Sequence, residues 1–204
     1  MPTNHAEFYR GAEAASGALA GRPTDPVAAA TAVHTAAPSL FGSTPMAMRG
    51  DVACKAGCAH CCHFPVGITF PEAMRLAAAV RPDRVLGNSL RAAAAATATT
   101  PWSALVGLAC PLLLATQCRV HGDRPLPCRA LASSDANACA AARQGAALVP
   151  RDDEAYWRGL GASHALAGEL GHRELRAALA AVLATAEGDD AGARAAFVAA
   201  RRVP

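Results

Sequence analysis

The stretch Cys54-Lys55-Ala56-Gly57-Cys58-Ala59-His60-Cys61-Cys62 puts four thiols into nine residues. An apolar core has no use for cysteines at that density. Four thiolates, however, satisfy one tetrahedral Zn²⁺ or one cubane iron–sulfur cluster. Four more follow at Cys110, Cys118, Cys128 and Cys139, so the chain holds eight cysteines, the ligand number of two such centres. Gly57 and the shortage of regular formers place the first group on a turn or an irregular helical segment. Four ligands do not converge from a straight helix, whose side chains radiate around its axis. Cys61 and Cys62 are neighbours, and in extended backbone neighbours project to opposite sides. The pair therefore faces two sites or bridges two metals.

Outward from this cluster the patterning is helical. Phe64 to Ile68 is short and extended. Thr69-Phe70-Pro71-Glu72 has the spacing of a capping box with proline in the first turn, and its helix runs to about Val80, because Arg81 precedes Pro82. A second helix spans Asp83 to about Ala98 and contains the alanine run 92–96, alanine being the best helix former. The segment from Cys110 to His121 reads as two short apolar strands around a turn. Gly122, Pro125 and Pro127 then impose an irregular connection to Cys128. Ser133-Ser134-Asp135 caps a further helix that carries Cys139 in its first two turns.

The C-terminal third reads as helices over Asp152–Gly168, Arg173–Ala186 and Asp189–Arg202, with Leu175, Leu179, Val182 and Leu183 on one face. Before the cluster, His5–Leu19 and Pro26–Thr35 have helical composition and Pro38–Pro45 reads as a loop. The expected fold is mainly α: an irregular helical domain with a short β-hairpin and a cysteine-rich metal-binding loop. Residues 1–50 form an Ala- and Pro-rich extension, 51–145 the cysteine-cluster region, and 146–204 C-terminal helices packing on the same domain.

Composition narrows the function classes. The 204 residues are 52% hydrophobic but only 4% aromatic, and alanine supplies much of the apolar share. Such a core depends on close helix packing or on cross-links, and metal sites are cross-links whose binding free energy becomes folding free energy. A formal net charge of +3, with basic residues scattered rather than striped, argues against nucleic acid. The apolar stretch Ala104–Ala115 is too short for a membrane span and contains Pro111. No basic start followed by an apolar run marks a secretory leader. The expectation is a cytoplasmic protein, where thiols stay reduced and dense cysteines signal metal rather than disulfides.

Cys54, Cys58 and Cys61 are close enough in sequence to hold one metal together, with a downstream thiol such as Cys128 completing the set. Cys139, on an Ala-rich helix, has the least support from spacing. His60 and His63 flank the cluster as outer-shell candidates, while His164 and His172 read as surface or packing residues. Lys55, Arg119, Arg124 and Arg129 lie beside cysteines and are placed to offset thiolate charge. A catalytic thiol beside His60 or His63 lacks an orienting third residue.

Cys54-x₃-Cys58-x₂-Cys61-Cys62, then Cys110-Pro-Leu-Leu and Cys118-Arg-Val-His-x₂-Arg124-Pro125-x₂-Cys128-Arg129, with Cys139 after them, resemble the small bacterial cysteine-cluster proteins described as zinc- or iron-chelating domains. The resemblance covers roughly Cys54 to Cys139 and implies metal or iron–sulfur binding through these thiols. A related cluster occurs in bacterial flagellin lysine methylases, but no Gly-rich nucleotide loop is present here. Three readings follow. The thiols hold an iron–sulfur cluster in a redox or accessory protein; or they hold structural zinc in a module with a protein partner; or the protein chelates, stores or senses metal.

Overall fold

The capping box expected at Thr69 is formed in the computed structural model, which describes residues 2–21, 25–40, 52–55, 57–145 and 148–204. Thr69 Oγ1 accepts from the Glu72 amide at 3.3 Å, and Glu72 Oε2 accepts from the Thr69 amide at 2.9 Å. This fixes the start of helix α3 (Phe70–Val80), which is followed by α4 (Arg84–Ala96) capped by Asp83. Both helices end within two residues of the positions read from sequence.

The principal core lies where α3 and α4 meet α8 (Leu175–Leu183) and α9 (Asp190–Ala199). Ile68, Leu76, Val80, Leu90, Leu179, Val182 and Phe197 are fully buried there. Burying each large side chain contributes about 1.5–3 kcal/mol, so this cluster is the main source of stability. Strand β1 (Gly67–Ile68) pairs antiparallel with β4 (Arg173–Glu174), which ties the segment leaving the cysteines to the start of α8. The expected hairpin is also present: β2 (Leu113–Leu114) pairs with β3 (Gln117–Cys118) around Ala115 and Thr116.

A second core joins α1 (Pro2–Leu19), α2 (Pro26–Leu40), α5 (Leu126–Ala130) and α7 (Asp153–Ala167) through Ala15, Val33, Ala37, Leu126, Ala162 and Leu166. α1 lies against α7 at glycine: a Cβ on Gly11 would overlap the Arg158 carbonyl, and one on Gly161 would overlap the Phe8 carbonyl. Small residues thus give the Ala-rich helices the close approach that large side chains give elsewhere. α2 continues through Pro38 to Leu40, beyond the Thr35 limit expected from sequence. Proline in a last turn removes one backbone donor but leaves the preceding turns intact. The rest of the loop expected at Pro38–Pro45 lies outside the described residues. Among the described residues no helix is long and apolar enough to cross a membrane.

Candidate metal centre

The first cysteines sit on a turn followed by one turn of 3₁₀ helix, His60–His63. Gly57 has φ +85°, a left-handed conformation that glycine adopts without steric cost, and the turn it permits separates Cys54 from Cys58. α6 (Ala136–Ala142) packs against the 3₁₀ turn, with Asp135 accepting from the Asn137 and Ala138 amides at its start. This brings Cys139 to the first group. Cys54, Cys58, Cys61 and Cys139 line one small cavity with His60, Phe64 and Ser133.

The remaining cysteines reach the 3₁₀ turn from the segment around Cys110, from β3 and from α5. The Cys110 amide donates to the Cys62 carbonyl at 2.7 Å, and the Gly107 amide to the His63 carbonyl at 2.8 Å. Cys128 lies on α5 within electrostatic reach of Cys110, Cys61 and Cys118. Cys128 therefore stands near Cys110 and Cys118 as well as near Cys61. Cys61 touches both groups: it hydrogen-bonds Cys62 and lies within reach of Cys54, Cys118 and Cys128. The structure thus gathers all eight cysteines around one 3₁₀ turn. Among the described residues, no three Cys, His, Asp or Glu side chains already stand in ligand geometry about a common point. The thiols are assembled but not closed on one another.

At Cys54, Cys61, Cys110, Cys118 and Cys128 the surroundings favour the protonated thiol. Burial pushes Cys110 up to about 11, opposed by the Leu112 amide and Arg176. Burial, with Cys110 and Cys61 adding to it, holds Cys128 well above the usual thiol range. Burial also raises Cys118 and Cys54, and the Cys62 thiol is the chief reason that Cys61 is raised. Counteracting this, the Ser133 amide donates to Cys54 Sγ at 3.3 Å, and the Leu112 and Val120 amides donate to Cys110 and Cys118. Backbone N–H groups aimed at sulfur stabilise thiolate and are the outer-shell partners that metal-bound sulfur uses. A cation would displace the protons and satisfy both tendencies.

Other donors are sorted by the fold. His60 lines the cavity, and its buried Nδ1 has no hydrogen-bond partner among the described residues. His63 Nδ1 lies 3.0 Å from the Ala59 carbonyl oxygen. His121 is exposed and its pKa is lowered, chiefly by Arg124. His172 pairs with Ser163 Oγ at 3.0 Å inside the helical core, and His164 is exposed with its ring against Phe8. Of the basic residues singled out from sequence, Arg124 acts on Cys61, Cys118 and Cys128. Arg119 pairs instead with Asp83 at 3.4 Å, Arg129 donates to the Arg124 and Gly122 carbonyls, and Lys55 is exposed. Arg176 went unnoticed in the sequence because it is 66 positions beyond Cys110 and belongs to no motif.

Residues 53–150 match the CxxCxxCC family, described as "Putative zinc- or iron-chelating domain". This segment is similar to that family. The match begins just before Cys54, takes in all eight cysteines and covers just under half of the chain. Zinc or iron chelation is the chemistry described for that family, and the eight cysteines of this segment fit such a role. No curated protein and no solved structure matches the chain.

Proposed function

We propose that the cysteine-cluster domain binds two metal centres through thiolates, one held by Cys54, Cys58, Cys61 and Cys139 and the other by Cys62, Cys110, Cys118 and Cys128. The observation that carries this reading is that Cys54, Cys58, Cys61 and Cys139 line one cavity, while Cys110 and Cys118 lie within reach of Cys128 and the Cys110 amide bonds the Cys62 carbonyl. At the first centre, size supports a single ion. The cavity that these thiols line is about 20 Å³, room for one water-sized body. A single Zn²⁺ with tetrahedral thiolate ligation is the best match there. His60, with its unpartnered buried nitrogen, is the reserve ligand. The bound ion cross-links a chain whose Ala-rich helices bury little area per residue, so the centre is structural at least in part.

One observation favours iron and sulfide as the second reading. Cys61 is hydrogen-bonded to Cys62 and lies within reach of thiols in both groups, an arrangement suited to a shared cluster in a redox or accessory protein. Anaerobic purification with elemental analysis and a visible spectrum separates the two. Colourless protein with two zinc per chain is expected. Brown protein with matched iron and sulfide would replace zinc with a cluster. Cys58→Ser is expected to lose one of the two metals, and unchanged stoichiometry in that variant would overturn the assignment.

A further inference from the structure

Arg176 is 3% exposed and lies on the first turn of α8, outside the cysteine-cluster segment. Its Nη1 lies 3.1 Å from Glu174 Oε1, and its Nη2 donates to the Leu108 and Ala109 carbonyls at 3.1 Å each. Those two carbonyls immediately precede Cys110. Residues 106–112 have no helix or strand to satisfy their backbone, so their backbone groups pair with side chains and other segments instead. The opposite edge of the same segment is held by the Cys110–Cys62 and Gly107–His63 backbone bonds. The segment that delivers Cys110 is thus held between the first cysteine cluster and one guanidinium.

Helix capping does not account for this arginine. Glu174 caps α8 itself by accepting from the Ala177 amide at 3.0 Å. Burying a guanidinium costs several kcal/mol unless it is paired and hydrogen-bonded, and an apolar residue would serve packing better. The guanidinium is paired with the buried Glu174 carboxylate, and its other donors go to the segment that delivers Cys110. Among the described residues, Arg124 acts on Cys118 and Cys128, while Arg176 and Glu174 act on Cys110 in opposite directions. Arginine, with its planar fork of donors, bridges two carbonyls and a carboxylate at once; lysine does not.

We infer that Arg176 is the positioning residue of the second thiol group: paired with Glu174, it holds the Leu108–Ala109–Cys110 segment against Cys62 through the Leu108 and Ala109 carbonyls. This rests on the two-centre reading above, and it makes the C-terminal helices a working part of a metal centre whose ligands all lie upstream.

The test uses Co²⁺ as the probe. Reduced, chelator-treated full-length protein is titrated anaerobically while thiolate-to-cobalt charge-transfer absorption is followed, and mass spectrometry after alkylation shows which cysteines the metal protects. Wild type is expected to take two equivalents. Arg176→Met is expected to keep the first and to weaken the second by roughly 10–100-fold, the usual cost of losing an outer-shell partner, with protection lost at Cys110 and Cys118 but kept at Cys54 and Cys58. Should that variant not fold, Arg176→Lys is expected to weaken the same equivalent to a smaller degree. Two unaltered equivalents in a folded variant, or equal weakening of both, would overturn the inference. Fewer than two equivalents in wild type would overturn the two-centre reading and this inference with it.

Discussion

Glu72 is fully buried, yet its carboxyl is held below the usual carboxylate range. Burial alone would raise it. The His34 ring, 3.6 Å away, and the Thr69 and Leu126 amides outweigh that effect. The Leu126 amide, which donates at 2.7 Å, opens the short helix that carries Cys128, so one carboxylate joins α2, α3 and the metal region. Glu72→Gln replaces an acceptor with a group that is half donor and leaves a buried amide facing another. A loss of about 2 kcal/mol is expected, because hydrogen bonds to charged groups contribute roughly 1.5–3 kcal/mol. Because its folded pKa is depressed, the Glu72 contribution is present above the reference value of 4.5 and is lost as pH falls through the lower folded value. Denaturant melts at several pH values check this. The gap between wild type and variant should hold from pH 7 to 5 and narrow below about 4; a gap that widens with acid would contradict it.

At the scale of elements, the contact between α1 and α7 has an unusual basis. Gly11 and Gly161 each bring one helix onto the backbone of the other, and the Glu7–Arg158 ion pair sits beside them. A side chain at either glycine has nowhere to go, since backbone carbonyls do not move aside as a flexible side chain can. Gly161→Leu is therefore expected to cost about 1–3 kcal/mol as overpacking and to lift α1 from α7. Limited proteolysis should show cleavage within α1 in this variant and protection in wild type, while metal content stays unchanged. If α1 remained protected, the close approach would not be what holds it.

Across the whole molecule, the two cores flank the cysteine region, and the metal centre is the joint between them. α5 takes part in the α1–α2–α7 core and carries Cys128, whereas Leu112 and Val120 of the principal core bracket β2, β3 and Cys118. Removing metal should therefore loosen both halves together. At a free metal concentration 100 times Kd, one site contributes about 2.7 kcal/mol, or roughly 5–11 °C in Tm for a chain of this size. Calorimetry before and after chelation under reducing conditions measures it. An unchanged transition would separate the metal from the fold.

Much of this was legible in the amino-acid order because it is local. The Thr69–Glu72 box, the Asp83 and Asp135 caps, the proline and glycine breaks and the hairpin before Cys118 depend on residues a few positions apart, and such signals survive whatever the rest of the chain does. The eight cysteines announced metal by density alone. Partnership among them was not legible, since Cys54 meets Cys139 across 85 positions of chain, and spacing of that length carries no geometric constraint. For the same reason Cys139 had the weakest sequence support and yet lines the cavity with Cys54, Cys58 and Cys61, and spacing did not reveal that Cys128 lies near Cys110 and Cys118 as well as Cys61. Arg176 and Glu72 belong to this second class: an ordinary arginine and an ordinary helix-capping glutamate in sequence, they acquire their roles from burial and from backbone atoms far along the chain. The sequence by itself determined the helical elements and the thiol chemistry, because propensity and ligand type are properties of residues. Only the tertiary structure decided which thiols stand together and which charges face them, because those are properties of distance.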